Sequence, residues 1–402
     1  MKKPRVLLVE NIHVLARDLF LQNGFEVESL KQALSPQELI QQLQGVQLLG
    51  VRSKTKVPAE VFKACPDLVA MGCFCVGTNH VELAQAQILG TPVFNAPFSN
   101  TRSVAEMTIS HVIALARQIG IRNIELHQGI WNKKSDGCFE VRGKTLGIVG
   151  YGNIGTQVSA LAESMGLRVV FYDVLSKLPL GNAKPLPDLQ SLLKDSDFVT
   201  LHVPVTELTR TMIGTEELQQ MKKGSYLINA CRGEVVDVEA LAQAVRGGHL
   251  AGAAVDVFPW EPESNSPGFK SPLIGLPNVI LTPHIGGATE EAQGNIGREV
   301  ATGLIRYHQA GSTEGSVNFP TVTSPLTSGR HRLVNIHRNV PGVLGQINQI
   351  VAKSGANILS QHLSTDSEIG VMIMDFDHEL GKSEVKEIEK MSASIRTRLL
   401  RG

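Results

Sequence analysis

The sequence predicts an α/β protein made of two runs of parallel-sheet units and closed by a small split α+β module. Three observations carry that reading. Short apolar runs alternate with helical patterns over the first hundred residues, and the same alternation restarts at residue 145. After a stretch rich in Gly, Ser, Thr and Pro at 311–330, the order becomes strand–helix–strand–strand–helix–strand. Alternating strands and helices need crossover connections and therefore parallel pairing. The closing order belongs to the split arrangement in which helices cover an antiparallel sheet.

In the first run, residues 6–9, 46–51, 68–75 and 93–95 read as strands, and 14–23, 58–64 and 81–89 as helices, the first of them stopping at Gly24. A long helix follows through 107–117. Ser103 with Glu106 three residues on has the form of its capping box. Trp131, Asn132 and Lys133 fall in a loop after the next helical stretch. In the second run, 145–149, 168–172, 198–202, 225–229, 252–257 and 279–282 read as strands and 158–165 as helix. The stretch 311–330 lacks apolar periodicity and reads as a flexible linker. Beyond it, 332–337, 358–365, 371–377 and 395–399 read as strands, and 342–354 and 383–391 as helices.

A chain of 402 residues corresponds to two to four domains. Lys plus Arg is 38 and Asp plus Glu is 38, which excludes general binding to nucleic acid or an anionic membrane. No apolar run approaches the roughly 18 residues of a membrane helix. The basic N-terminus is followed by an apolar core too short for a signal peptide. Five cysteines, at 65, 73, 75, 138 and 231, form no CxxC pair and read as reduced, mostly buried thiols of a cytoplasmic protein, with no metal site.

Gly150, Tyr151, Gly152, Asn153, Ile154 and Gly155 lie directly behind one strand and open a helix, and Asp173 ends the next strand. Gly150 allows a tight turn, Gly152 lets backbone approach a pyrophosphate, and Gly155 lets helix and strand pack closely. The helix N-terminus offers unpaired N–H groups and a partial positive charge. Asp173 accepts from ribose hydroxyls and repels a 2′-phosphate, which favours NAD over NADP. The bland alternative is a purely structural glycine turn.

Three later strands run into Arg232, Glu261 and His284. In a doubly wound sheet the carboxyl ends of strands face the ligand crevice. Arginine holds an α-carboxylate in its planar fork, histidine exchanges a hydroxyl proton, and a glutamate beside it favours the imidazolium. This set fits hydride transfer at a 2-hydroxy or 2-oxo acid. Taken singly, the three also read as a salt-bridge partner, a loop acid and a helix cap.

The glycine motif with Asp173, the run 229–237 (NACRGEVVD), the run 256–258 with Glu261 and Pro262, and the run 282–287 (TPHIGG) together resemble the D-2-hydroxyacid dehydrogenase family. The resemblance implies Arg232, Glu261 and His284 as catalytic residues. It implies NAD as cofactor, held by Gly150, Gly152, Asn153, Ile154, Gly155 and Asp173, with Ala230, Cys231, Arg232, Asp256, His284, Gly286 and Gly287. Cys231 stands where serine or alanine is more usual and adds an expectation of thiol sensitivity. The implied architecture is a flavodoxin-like substrate domain at 1–96, a Rossmann NAD domain at 97–287, a return segment at 288–318, a linker at 319–329 and a ferredoxin-like ACT regulatory domain at 330–402.

Within the family, residues 50–55, 76–79, 98–106 and 131–133 resemble those members that oxidise 3-phosphoglycerate to 3-phosphohydroxypyruvate, opening serine synthesis. That implies Arg52, Ser53, Asn100, Lys133 and Arg232 as substrate ligands, and a polyanionic substrate needs several cations. Arg52 also reads as closing a surface turn, Lys133 as a solvated lysine, Trp131 as a packing anchor, and Asn79 and Asn100 as turn or hinge residues. Residues 337–344 and 355–358 resemble an ACT domain. This implies L-serine as an effector bound by His337, Asn339 and Asn357, feedback inhibition through the domain hinge, and assembly into a homotetramer. The module also reads as purely structural. Other 2-hydroxy acids (glycerate, lactate, 2-hydroxyglutarate) and a non-catalytic NAD(H) or amino-acid sensor remain alternatives.

Overall fold

A computed structural model describes residues 3–262, 267–325 and 327–401; the remainder, including residue 326 of the expected linker, lies outside the described residues. Contacts divide the chain into two units, Met1–Ser99 with Gln293–Gly402, and Asn100–Ala292.

The first unit begins with five parallel strands, β1 (Arg5–Leu8), β2 (Glu26–Ser29), β3 (Leu48–Val51), β4 (Ala70–Cys73) and β5 (Val93–Phe94), in the order β2-β1-β3-β4-β5. This is the flavodoxin-like order. Side chains alternate between faces with the period of two. Leu7, Leu49, Val51 and Met71 join one apolar layer with Leu39, Val61 and Ala86 of three short helices. Val6, Leu8, Leu48 and Ala70 join the other, with Phe20, Val300 and Leu304.

The second unit is a sheet of seven parallel strands: β6 (Thr145–Val149), β7 (Arg168–Tyr172), β8 (Lys184–Pro185), β9 (Phe198–Leu201), β10 (Tyr226–Asn229), β11 (Gly252–Val255) and β12 (Val279–Leu281). Its order, β12-β11-β10-β9-β6-β7-β8, is that of a doubly wound dinucleotide-binding fold. The direction of winding reverses between β6 and β9, which is where such sheets bind ligands.

The C-terminal module has β13 (His331–Arg338), β14 (Ile358–Thr365), β15 (Ile369–Phe376) and β16 (Ser394–Arg401), all antiparallel in the order β14-β15-β13-β16. This is the ferredoxin-like order. The helices Val343–Ser354 and Lys382–Glu389 cover one face through Ile347, Ile350 and Ile388. Phe319 and Val322 cover the other, against Val334, Ile336 and Val371.

Several expectations are corrected. Residues 311–330, including the linker at 319–329, have no regular strand or helix among the described residues but are not a loose connector. Thr313, Phe319, Val322 and Ser324 are buried, Thr313 and Val322 hydrogen-bond each other, and Ser324 accepts from Arg332. The capping box is absent: the helix Thr101–Ala116 starts earlier, after Asn100. Ser103 Oγ pairs with Thr289 Oγ1 at 2.8 Å, and Glu106 takes Arg102 at 2.6 Å, so tertiary and i,i+4 partners claim both side chains. β2 escapes sequence reading because Glu-Val-Glu-Ser on a sheet edge carries almost no apolar signal. The helix Glu290–Ala310 occupies most of the supposed return segment; its stripe of Ile296, Val300, Leu304 and Tyr307 is diluted by polar residues.

Candidate active site

The glycine loop follows β6 directly. Gly150 has φ +92°, and a Cβ there would lie 2.4 Å from the His202 carbonyl oxygen. A Cβ on Gly155 would stand 2.2 Å from the Gly150 carbonyl oxygen, so helix and turn meet backbone to backbone. Gly152 differs, with nothing within 4 Å of its Cβ position. Its open space fronts the N-terminus of the helix Asn153–Ser164, which has no side-chain cap and no acidic residue in its first turn. Uncapped N–H groups beside a surface without side chains fit a pyrophosphate. Asp173 fixes the loop from the end of β7: its Oδ2 accepts the Tyr151 amide at 2.8 Å and its Oδ1 the Leu175 amide at 2.9 Å. Beneath the loop, burial pushes the His202 imidazole down to about 3, so no cation stands there at pH 7.

At the end of β10, Asn229 holds the next turn together. Its Oδ1 accepts the Cys231 amide at 3.1 Å, and its Nδ2 donates to the Arg232 carbonyl at 3.0 Å. This role is invisible in the sequence, where asparagine at the end of a strand signals only a turn. The Cys231 thiol is buried against the same Oδ1, and burial raises its pKa. That corrects the expectation of thiol sensitivity, because the reactive form is the thiolate.

Asp256, after β11, is 1% exposed and organises the loop 282–287. Its carboxylate accepts from Thr282 Oγ1 at 2.6 Å, the Ile285 amide at 2.9 Å and the Gly286 amide at 2.9 Å. Its carbonyl accepts the His284 amide at 2.7 Å. His284 is thereby held at φ +53°, a left-handed conformation costing a non-glycine residue about 1–3 kcal/mol. Its Nδ1 donates to Glu261 Oε2 at 2.7 Å, while Glu261 Oε1 accepts the Phe258 amide at 3.0 Å. The hydrogen bond to Glu261 raises the His284 pKa, against the burial that lowers it. Burial pushes the Glu261 carboxyl up, but hydrogen bonds from His284 and Phe258, with the Arg232 charge, hold it below its ordinary value. The pair is a histidine disposed to carry a proton, oriented by an ionised glutamate, with its Nε2 left for a reacting group.

A Dictyostelium discoideum D-3-phosphoglycerate dehydrogenase is 50% identical to this chain over 398 residues, covering 99% of this chain and 97% of its own. A profile of the NAD-binding domain of D-isomer specific 2-hydroxyacid dehydrogenases matches residues 109–286. The chain belongs to the D-isomer specific 2-hydroxyacid dehydrogenases. A D-3-phosphoglycerate dehydrogenase of Escherichia coli K12 is 49% identical over 401 residues, covering 99% of this chain and 98% of its own. The NAD-complexed D-isomer specific 2-hydroxyacid dehydrogenase of Lactobacillus delbrueckii ssp. bulgaricus superimposes with a TM-score of 0.70 at 28% identity, over 78% of this chain and all of its own. An AHAS small subunit-like ACT domain matches residues 333–396. This 2-hydroxyacid dehydrogenase is therefore an NAD-dependent enzyme carrying an ACT domain.

The other expected site residues are divided between the two units. In the first unit, Arg52 is half-buried and Ser53 exposed, just after β3. In the second, Asn100 precedes the helix Thr101–Ala116 beside Gly287, and Lys133 is exposed in its loop. The three expected effector residues do not converge within one module. Asn339 follows β13 and donates to the Asp366 carbonyl at 2.6 Å. Asn357 precedes β14, next to Asp377, and the sheet register puts it at the opposite end, on the order of 25 Å of strand away. His337 is buried, with Nδ1 3.0 Å from Asn335 Oδ1. Local sequence cannot reveal this separation, because the helix between the two asparagines returns the chain to the start of the sheet.

Proposed function

We propose that this dehydrogenase oxidises 3-phosphoglycerate to 3-phosphohydroxypyruvate, the first step of serine synthesis, under feedback from an amino acid bound at the ACT module. The carrying observation is the 2.7 Å His284–Glu261 pair, with Arg232 close enough for its charge to act on both. Arg232 binds the α-carboxylate, and His284 takes the proton of the 2-hydroxyl. Glu261 stabilises the imidazolium that results. NAD, when bound, supplies the hydride acceptor. Gly150, Gly152, Asn153, Ile154, Gly155 and Asp173 would hold it, with Ala230, Cys231, Arg232, Asp256, His284, Gly286 and Gly287. Arg52, Ser53, Asn100 and Lys133 are the further ligands of the substrate's anionic groups. The names of the D. discoideum and E. coli relatives support the phosphorylated substrate.

L-serine is the proposed effector. Because Asn339 and Asn357 lie at opposite ends of one module, an effector using both is held between two paired modules; with dimer contacts through the NAD domain, as the resemblance implies, such pairing builds a homotetramer. Five free cysteines fit a cytoplasmic location. NADH oxidation with 3-phosphohydroxypyruvate, with and without millimolar L-serine, tests the reading. Turnover that serine suppresses is the expected result. Turnover indifferent to serine removes the effector assignment. Turnover only with unphosphorylated 2-oxo acids removes the substrate.

A further inference from the structure

The loop 52–55 carries Arg52 and Ser53, and its backbone is organised by a residue 42 positions earlier. Glu10 follows β1 and is 7% exposed. Its Oε1 accepts the amides of Arg52 at 3.1 Å and Thr55 at 2.8 Å, and its Oε2 accepts the amide of Lys54 at 3.0 Å. Three of the four loop amides thus converge on one buried carboxylate. Thr55 is fully buried and accepts the Leu34 amide on its Oγ1 at 3.4 Å, which anchors the far end of the loop.

The backbone that delivers this carboxylate is strained. Glu10 has φ +67° and Asn11 φ +51°, two consecutive non-glycine residues in the left-handed region. Such strain persists only where the surroundings over-determine it, and it concentrates at functional sites. Here the turn is held by the Glu10 amide donating to the Gln32 carbonyl at 3.1 Å and the Asn11 amide to the Leu30 carbonyl at 3.1 Å.

Converging backbone amides ordinarily make an anion site. In this loop an internal anion already occupies them, so an anionic ligand is left with the side chains. Those side chains gain from the arrangement: with the backbone fixed, Arg52 and Ser53 lose less freedom when they meet a ligand.

We propose that Glu10 is the positioning residue of the substrate-binding loop, acting through Arg52 and Ser53 on the phosphorylated end of the substrate. This rests on the reading above that Arg52 and Ser53 bind that end.

Glu10→Gln tests it, since it keeps the shape but turns one acceptor into a donor facing an amide. KM for 3-phosphohydroxypyruvate rises about tenfold, the equivalent of one charge-assisted hydrogen bond's worth of ordering. The kcat and the KM for NADH hold. In the double variant with Arg52→Ala, adding Glu10→Gln raises KM by less than it does in the parent, because the share acting through Arg52 is already gone and only that through Ser53 is left; a merely structural role gives additive losses. Should Glu10→Gln not fold, Glu10→Asp, which keeps the charge and shortens the arm, carries the same expectation. Unchanged KM in the Glu10 variant while Arg52→Ala raises it overturns the proposal alone. Unchanged KM in Arg52→Ala overturns the ligand role of Arg52 and the proposal with it. A uniform loss of kcat and of affinity for both ligands also overturns it.

Discussion

Two loops of this dehydrogenase follow parallel strands and present backbone N–H groups, yet they are finished in opposite ways. The loop after β6 is left open: Gly152 has empty space where a side chain would stand, and the helix behind it has no side-chain cap. The loop after β3 is closed, with three of its amides on the Glu10 carboxylate. On the proposed reading, the open loop binds with backbone and so needs glycine, while the closed loop leaves binding to side chains and so needs an internal counter-group that fixes them. The loop 282–287 follows the second pattern, with Asp256 in the place of Glu10 and His284 as the presented side chain. Backbone recognition is therefore written locally in the sequence, and side-chain recognition depends on a buried carboxylate from elsewhere.

The sharpest break of this comparison is Gly155→Val. A Cβ 2.2 Å from a carbonyl oxygen cannot be relieved by moving a flexible side chain. We expect a loss above about 3 kcal/mol or no folded protein, read by thermal unfolding. A variant as stable as the parent would show that the close approach is not required. Gly152→Val comes next and separates binding from folding. Its side chain enters free space, so the melting temperature holds within about 2 °C, while NADH affinity, followed by fluorescence titration, falls by about 100-fold, or about 2.7 kcal/mol. Retained affinity would mean that the ligand does not approach that backbone.

The smallest effect concerns the histidine presented by the loop 282–287. Glu261 raises the His284 pKa. With His284 in its proposed role, reduction of a 2-oxo acid uses the imidazolium, so its kcat/KM falls as pH rises through that raised value. Oxidation uses the neutral ring, so its kcat/KM falls as pH drops through the same value. Glu261→Gln removes the charge that favours the imidazolium, and both limbs move to lower pH. Profiles recorded in both directions check this; limbs that stay in place would detach Glu261 from the proton transfer.

Much of the fold was legible. The strands at 145–149 and 168–172 lie where their apolar runs put them, because a buried parallel strand is apolar on both faces. β2 and the helix Glu290–Ala310 were not legible, since each shows only part of its surface to the core. The stretch 311–330 has the composition of a linker, yet Phe319 and Val322 seal one face of the ACT sheet. Composition reports flexibility only where no neighbouring surface needs covering.

By itself the sequence determined the fold class, the glycine loop with Asp173 at the end of the next strand, and the neighbouring Glu261 and His284. These rest on short-range requirements: a turn, a close approach, a side chain at the end of a strand. Tertiary structure alone decided that Glu10 and Asp256 fill the loops they serve, and that Asn339 and Asn357 part to opposite ends of one sheet. A hydrogen bond spanning 45 residues, or a separation set by the return of a helix, leaves no periodic trace in the chain, because it arises only when strands distant in sequence become neighbours.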